Sequence, residues 1–173
     1  MTLRGSRCAA CGIAVALAVL NLFATISASA GDTRVDKVVV EKSARKMYLF
    51  SGEALVRVYH VALGGSPEGD KQRRGDERTP EGVYTLDFKN TDSAFYKSIH
   101  ISYPNLEDLR DARRLGVDPG GQIMIHGQKN GYSVLASETQ KLDWTDGCIA
   151  VTDYEMDEIW RLVSVGTTIE IVP

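Results

Sequence analysis

The chain has 173 residues, with 43% hydrophobic and 25% charged residues, which suits one medium-sized domain. Its formal net charge is −3, and no basic run or patch points to a nucleic acid or an anionic membrane surface. There is no repeat of fixed period and no low-complexity tract.

The first 30 residues stand apart. Arg4 and Arg7 precede an apolar run from Ala9 to Phe23, and Ala28-Ser29-Ala30 gives the small-x-small pattern of a signal-peptidase site. The run is short for a membrane span and is interrupted by Asn21. Residues 1–30 are therefore expected to be a cleaved export signal that leaves no stable membrane span. Residues 31–173 are then expected to form one exported domain. Removing the first 30 residues takes away two arginines and no acid, leaving 18 basic against 23 acidic residues and a net charge of −5. It also takes away Cys8 and Cys11, so Cys148 is the one cysteine of the mature domain. A lone thiol in an oxidising compartment needs a reason. With no second cysteine to resolve a disulfide, a thiol oxidoreductase is disfavoured.

Taken in order, Val35 to Glu41, Lys46 to Phe50 and Ala54 to Leu63 alternate or cluster β-branched residues and read as a meander of three strands. Gly64 to Gly75 is rich in Gly, Pro and charge. It is expected to be an exposed loop, with Lys71, Arg73 and Arg74 solvated. Thr79-Pro80-Glu81-Gly82 is a turn into a strand from Val83 to Phe88, and Lys97 to Ser102 is another strand. Asn105 caps a helix, with Asp108 at its third position and Gly116 at its end. Asp118-Pro119-Gly120-Gly121 turns into a strand from Gln122 to His126. Ser133 is expected to cap a short helix reaching Leu142. Thr152 and Glu155 make a capping box, and the helix they begin is expected to stop at Gly166, before a last strand from Thr167 to Val172. A mainly β domain follows, as two packed sheets or a partly closed barrel with two or three short helices.

The chemistry concentrates at Ile123 to Ala150. A strand ending in His126-Gly127 can hold an imidazole at a sheet rim, and the turn Thr145-Asp146-Gly147-Cys148 can hold a thiol there. Cys148 is the candidate nucleophile and His126 the candidate base. The amides of Gly147 and Cys148 are candidate oxyanion donors, worth about 3 to 4 kcal/mol each if preorganised. Asp146 either orients His126, repels a thiolate, or merely bonds local amides. His60 reads as an ordinary strand histidine, whereas His100, with Tyr103, could line the same cleft. His60, His100, His126 and Cys148 lack the close paired spacing of a metal site, so no metal is expected. No Gly-x-Ser-x-Gly turn supports serine chemistry.

These residues resemble a known family. His126-Gly127 with Thr145-x-Gly147-Cys148, and Thr79-Pro80-x-Gly82 upstream, are similar to the L,D-transpeptidase catalytic domain of YkuD type, over about Val35 to Val172. The resemblance implies a mixed β-sandwich with the cysteine in a cleft under a mobile flap, and no cofactor. It also implies attack by the Cys148 thiolate on the peptidoglycan tetrapeptide stem, with His126 as base. A thioester would form at the third, diamino acid residue, and an amine would resolve it into a 3-3 crosslink. Gly127, Thr145, His100, Tyr103 and Ala150 would shape the substrate site. Asp146 and Ala150 depart from the common pattern of a histidine before Gly-Cys and an arginine or asparagine two residues after it. That departure leaves hydrolysis open, by an L,D-endopeptidase or amidase acting on stem peptides or a wall-linked lipoprotein. A wall-binding module without chemistry is the reading of another class.

Overall fold

The β-branched stretches form a ladder whose order differs from the chain order. The computed structural model describes Met1 and residues 34–173, so the expected signal lies outside the described residues. The strands are β1 (Val35–Glu41), β2 (Lys46–Ser51), β3 (Ala54–His60), β4 (Gly82–Asn90), β5 (Ser98–Ile101), β6 (Met124–His126), β7 (Ile149–Ala150) and β8 (Val163–Val172). They make one mixed eight-stranded sheet in the order β3-β2-β1-β8-β4-β5-β6-β7, with β1–β8 and β6–β7 parallel and the other pairs antiparallel. The sheet curls until its edges meet: beyond β3, Ala62 exchanges both backbone bonds with Ala150 of β7, at 2.9 and 2.8 Å. The expected mainly β architecture, two packed sheets or a partly closed barrel, is present as one mixed sheet curled until its edges meet, which removes free edges at that seam.

Inside lies a single core. Val38 and Val40 of β1, Met47 and Leu49 of β2, Ile99 of β5, Ile125 of β6, Ile149 of β7 and Ile169 of β8 are fully buried in it. Alternation explains the pattern, since period-2 strands send every second residue to the same side.

The helices are α1 (Leu106–Leu115), α2 (Ala136–Thr139) and α3 (Asp153–Leu162). Both expected caps are present: Thr152 with Glu155 makes the expected capping box at α3, and Asn105 caps α1 with Asp108 completing a box there too. Gly116 closes α1 in the left-handed conformation, at φ 68°. Two expected boundaries are corrected. Ser133 caps nothing: it begins a 3-10 turn to Leu135, and α2 is only four residues long, with no side-chain cap. Val134, Leu135 and Leu142 stay exposed there, so no buried face drives a longer helix. Gly166 does not end α3, because Val163 already leaves the helix to pair with Val35. Gly166 instead lies in β8 at φ 91°, where the β1–β8 register shifts.

The loop after β3 is also corrected in part. Lys71 is 5% exposed, and its ammonium donates to Asp76 Oδ1 at 2.6 Å and to the Arg73 carbonyl at 3.1 Å. Asp76 accepts further bonds from the amides of Gln72, Arg73 and Arg78. Lys42 is 2% exposed and donates to Gly69 O, Thr79 O and Glu81 Oε1, so it pins both ends of the same loop.

Candidate active site

The register of β6 against β7 builds the site. Ile125 pairs with Ile149 and His126 with Ala150, in parallel. The two isoleucines enter the core, so alternation turns Met124, His126 and Cys148 to the opposite face. There they line one cleft of about 350 Å³, with Gln122, Phe95 and Trp144 among its other walls. The expected pair, His126 and Cys148, is therefore brought together on adjacent strands.

His126 is 4% exposed. Its Nδ1 lies 2.7 Å from the Gly127 carbonyl oxygen, which can only accept, so Nδ1 carries the proton and Nε2 of the neutral ring is the free acceptor. Burial lowers the pKa of this histidine, while the bond to Gly127 works in the other direction. The ring packs against Phe95, with centroids 4.7 Å apart, and edge-on to Trp144 at 5.7 Å.

Cys148 is half-buried, and its Sγ–H donates to the Gln122 carbonyl at 3.6 Å. Gln122 holds that carbonyl from a left-handed backbone, φ 60°, a region that side-chain-bearing residues rarely adopt. Burial pushes the thiol pKa up, and the Asp146 carboxylate adds to the rise. The Met124 amide and the Lys71 ammonium oppose it. At neutral pH the pair therefore rests as a neutral thiol and a neutral imidazole rather than as an ion pair.

The turn before Cys148 is braced from within and from below. Thr145 Oγ1 accepts from the Gly147 amide at 3.2 Å and donates to the Cys148 carbonyl at 2.7 Å. The Thr145 backbone is also tied to the segment that follows β3, donating to Leu63 O and accepting from the Gly65 amide. Gly147 has φ 118°, and a Cβ there would sit 2.5 Å from the Arg78 carbonyl oxygen, so the loop containing Lys71 and Asp76 passes directly beneath. Gly127 is equally confined: its Cβ would meet Asp153 Oδ1 at 2.6 Å and Tyr96 at 2.9 Å.

Several expected roles change. Asp146 does not orient His126, because the ring's Nδ1 is taken by Gly127 O; the carboxylate is exposed on the cleft. The Gly147 amide donates to Thr145 Oγ1, so of the two expected oxyanion donors it is the one already engaged. His100 does not line the cleft: it bonds Asp87 at 2.6 Å and stacks on Phe88. Tyr103 is buried, with its hydroxyl on Pro119 O, and Ala150 is fully buried in the sheet seam. His60 bonds the Gln140 carbonyl at 2.8 Å and is structural. Among the described residues no group of three or more His, Cys, Asp or Glu is placed to hold a metal ion. No helix among them is long and apolar enough to cross a membrane.

Sequence reading missed Phe95, Gln122 and the part played by Trp144. An aromatic ring directly after the mostly polar stretch Asn90 to Ala94 is the signal that could have pointed to Phe95. The Trp144 indole nitrogen is buried without a partner among the described residues.

The L,D-transpeptidase catalytic domain (YkuD) family matches residues 36–171 of this chain. YafK of Escherichia coli (strain K12), which carries an L,D-transpeptidase name, is 31% identical over 132 residues, covering 74% of this chain. The chain spans 46%, about half, of that relative's length. In structure, the helical cell shape determining protein Pgp2 from Campylobacter jejuni (K307A mutant) superposes with a TM-score of 0.60 at 23% identity, over 81% of this chain and 47% of that one. Bd1075 of Bdellovibrio bacteriovorus superposes at 0.58 with 21% identity, over 81% and 48%. A match over most of the chain, with the same fold in solved relatives, places this protein in the L,D-transpeptidase catalytic domain family.

Proposed function

We propose that this domain is a cysteine acyltransferase acting on peptidoglycan stem peptides, with Cys148 as nucleophile and His126 as base and then acid. The observation that carries this reading is the parallel register that sets Met124, His126 and Cys148 on one face of a cleft. In the resting pair the thiol holds its own proton, so attack and proton transfer proceed together. Sγ bonds to the substrate carbonyl carbon as its proton moves to His126 Nε2, and the carbonyl oxygen becomes an oxyanion facing the Cys148 amide. Collapse breaks the peptide bond, His126 returns the proton to the leaving amine, and a thioester remains. The Nδ1 bond to Gly127 O stabilises the transient imidazolium. No cofactor enters any step.

Resolution of the thioester by an amine on a second stem gives transpeptidation. Hydrolysis is the second reading, on stem peptides or on a wall-linked lipoprotein. It is favoured by the exposed Asp146, because a carboxylate beside the sulfur can hold and polarise a water. The export signal at residues 1–30 and a periplasmic or wall location belong to the same proposal.

The test is mass spectrometry after incubation with a carbapenem. The wild-type protein is expected to gain one adduct, and Cys148→Ala is expected to gain none while keeping its circular dichroism spectrum. Absence of an adduct on the wild type would favour a non-enzymatic wall binder, and an adduct on Cys148→Ala would overturn the nucleophile assignment. Digestion of purified wall then separates new crosslinks from cleavage products by mass.

A further inference from the structure

The carbonyl that holds the His126 ring is half of a peptide group whose other half is also engaged. Gly127 O and the Gln128 N–H belong to one peptide unit and point to opposite sides of it. The oxygen accepts from His126 Nδ1 at 2.7 Å, and the N–H donates to Asp153 Oδ1 at 2.7 Å. A carboxylate, a peptide and an imidazole thus form one chain of hydrogen bonds, ending on the ring that shares a cleft with Cys148. Bonds on either side fix that peptide. The His126 carbonyl accepts from the Val151 amide at 2.9 Å, and the Gly127 amide donates to the Lys97 carbonyl at 3.3 Å. The buried Gln128 side chain donates to Val151 O at 2.8 Å and accepts from Thr139 Oγ1 at 2.6 Å. Glycine at 127 lets the carboxylate come this close, since a Cβ there would stand 2.6 Å from Asp153 Oδ1.

Asp153 is not needed for the helix cap. It and Glu155 are the acids of the first turn of α3, where the helix dipole favours negative charge, and Glu155 is the one that closes the capping box on Thr152. Among the described residues the Asp153 carboxylate takes only the Gln128 amide.

We propose that Asp153 is a positioning residue of this site, acting through the Gly127–Gln128 peptide to raise the basicity of His126. The inference rests on the acyl-transfer reading and adds a third group to the pair that carries it. A negative charge on the N–H side polarises the peptide, so its carbonyl oxygen accepts more strongly. A stronger acceptor at Nδ1–H favours the imidazolium over the neutral ring, which offsets part of the basicity that burial removes. No proton moves along this chain: the one taken from Cys148 stays on Nε2 until it passes to the leaving amine. The other ionisable groups near the ring are Asp92, Asp146 and Cys148 on the cleft and, beside Gly127, Tyr96, Lys97 and Asp157, which bond one another.

The experiment compares Asp153→Asn, which keeps an acceptor without the charge, with Asp153→Ala, which removes both. His126 is titrated by NMR of its imidazole in the Cys148→Ala background, so that no chemistry is needed, and carbapenem acylation is followed with Cys148 in place. Asp153→Asn is expected to lower the His126 pKa by about 0.5, and Asp153→Ala by at least as much. Acylation at neutral pH should slow about threefold in Asp153→Asn while the circular dichroism spectrum is retained. A role in folding alone predicts an unchanged His126 titration and an unchanged rate per folded molecule, and either result in Asp153→Asn would overturn the proposal. Should the substitutions prevent folding, the protein with Asp153 in place decides. Its His126 Nδ1 and Gln128 amide resonances are expected to shift together as the Asp153 carboxyl titrates, and an Nδ1 resonance indifferent to that titration overturns the proposal equally. Because the titration needs no nucleophile, and the wild-type carbapenem adduct reports the nucleophile by itself, failure of this role is distinguishable from failure of the chemistry.

Discussion

Asp146 sits two residues before the sulfur, and its effect on the thiol has a definite sign. A carboxylate that repels the thiolate raises the thiol pKa, while one that orients the base would assist deprotonation. With His126 Nδ1 already donating to Gly127 O, only repulsion remains. Asp146→Asn is therefore expected to lower the thiol pKa and move the inflection of the iodoacetamide alkylation rate to lower pH. An unmoved inflection, or one moved upward, would contradict this. Gly147 makes a second prediction at the same scale. A side chain there needs a strained φ of 118° and a Cβ 2.5 Å from the Arg78 carbonyl, so Gly147→Ala is expected to cost about 3 kcal/mol. Thermal melting should fall by several degrees, and a midpoint within about one degree of wild type would refute the clash.

Elements were legible where their causes are local. Asn105 with Asp108 and Thr152 with Glu155 each close a capping box within four residues, and both helices begin where those residues stand. Removing the α3 cap with Thr152→Ala is expected to cost about 1 kcal/mol and to lower the melting midpoint by roughly 2 to 5 °C. Because α3 packs Met156 and Ile159 into the core behind the site, the loss should appear as global rather than local unfolding. The short helix at Ala136–Thr139 shows the opposite case. Its boundaries depend on distant groups, with Thr139 bonding Gln128 Oε1 and His60 bonding the Gln140 carbonyl, and no local pattern announces those partners. Gly166 misleads for a related reason: a glycine that usually ends helices here absorbs a register shift between β1 and β8.

At the scale of the whole domain, one buried cation links regions far apart in the chain. Lys42, in the turn after β1, spends all three of its protons on Gly69, Thr79 and Glu81, and so fixes the loop whose Arg78 carbonyl supports Gly147. Lys42→Met would leave two carbonyls and the Glu81 carboxylate without that donor, an expected loss of about 3 to 5 kcal/mol measured from the urea midpoint. Carbapenem acylation at Cys148 should slow in step. A midpoint equal to wild type would mean that the loop is held by other contacts.

By itself the sequence determined the strands, the two capped helices and the pairing of His126 with Cys148 as the candidate reactive groups. Alternation, caps and glycine turns act over a few residues and are written in order along the chain. Only the tertiary structure decided that Gly127 rather than Asp146 holds the imidazole, that Thr145 occupies the Gly147 amide, and that His100 and Tyr103 turn elsewhere. It alone buried Lys42 and Lys71 and placed Asp92 and Asp146 on the cleft. The physical reason is that a hydrogen bond or an ion pair is settled by which groups the curled sheet brings within 3 Å or so, and that proximity depends on register between segments tens of residues apart.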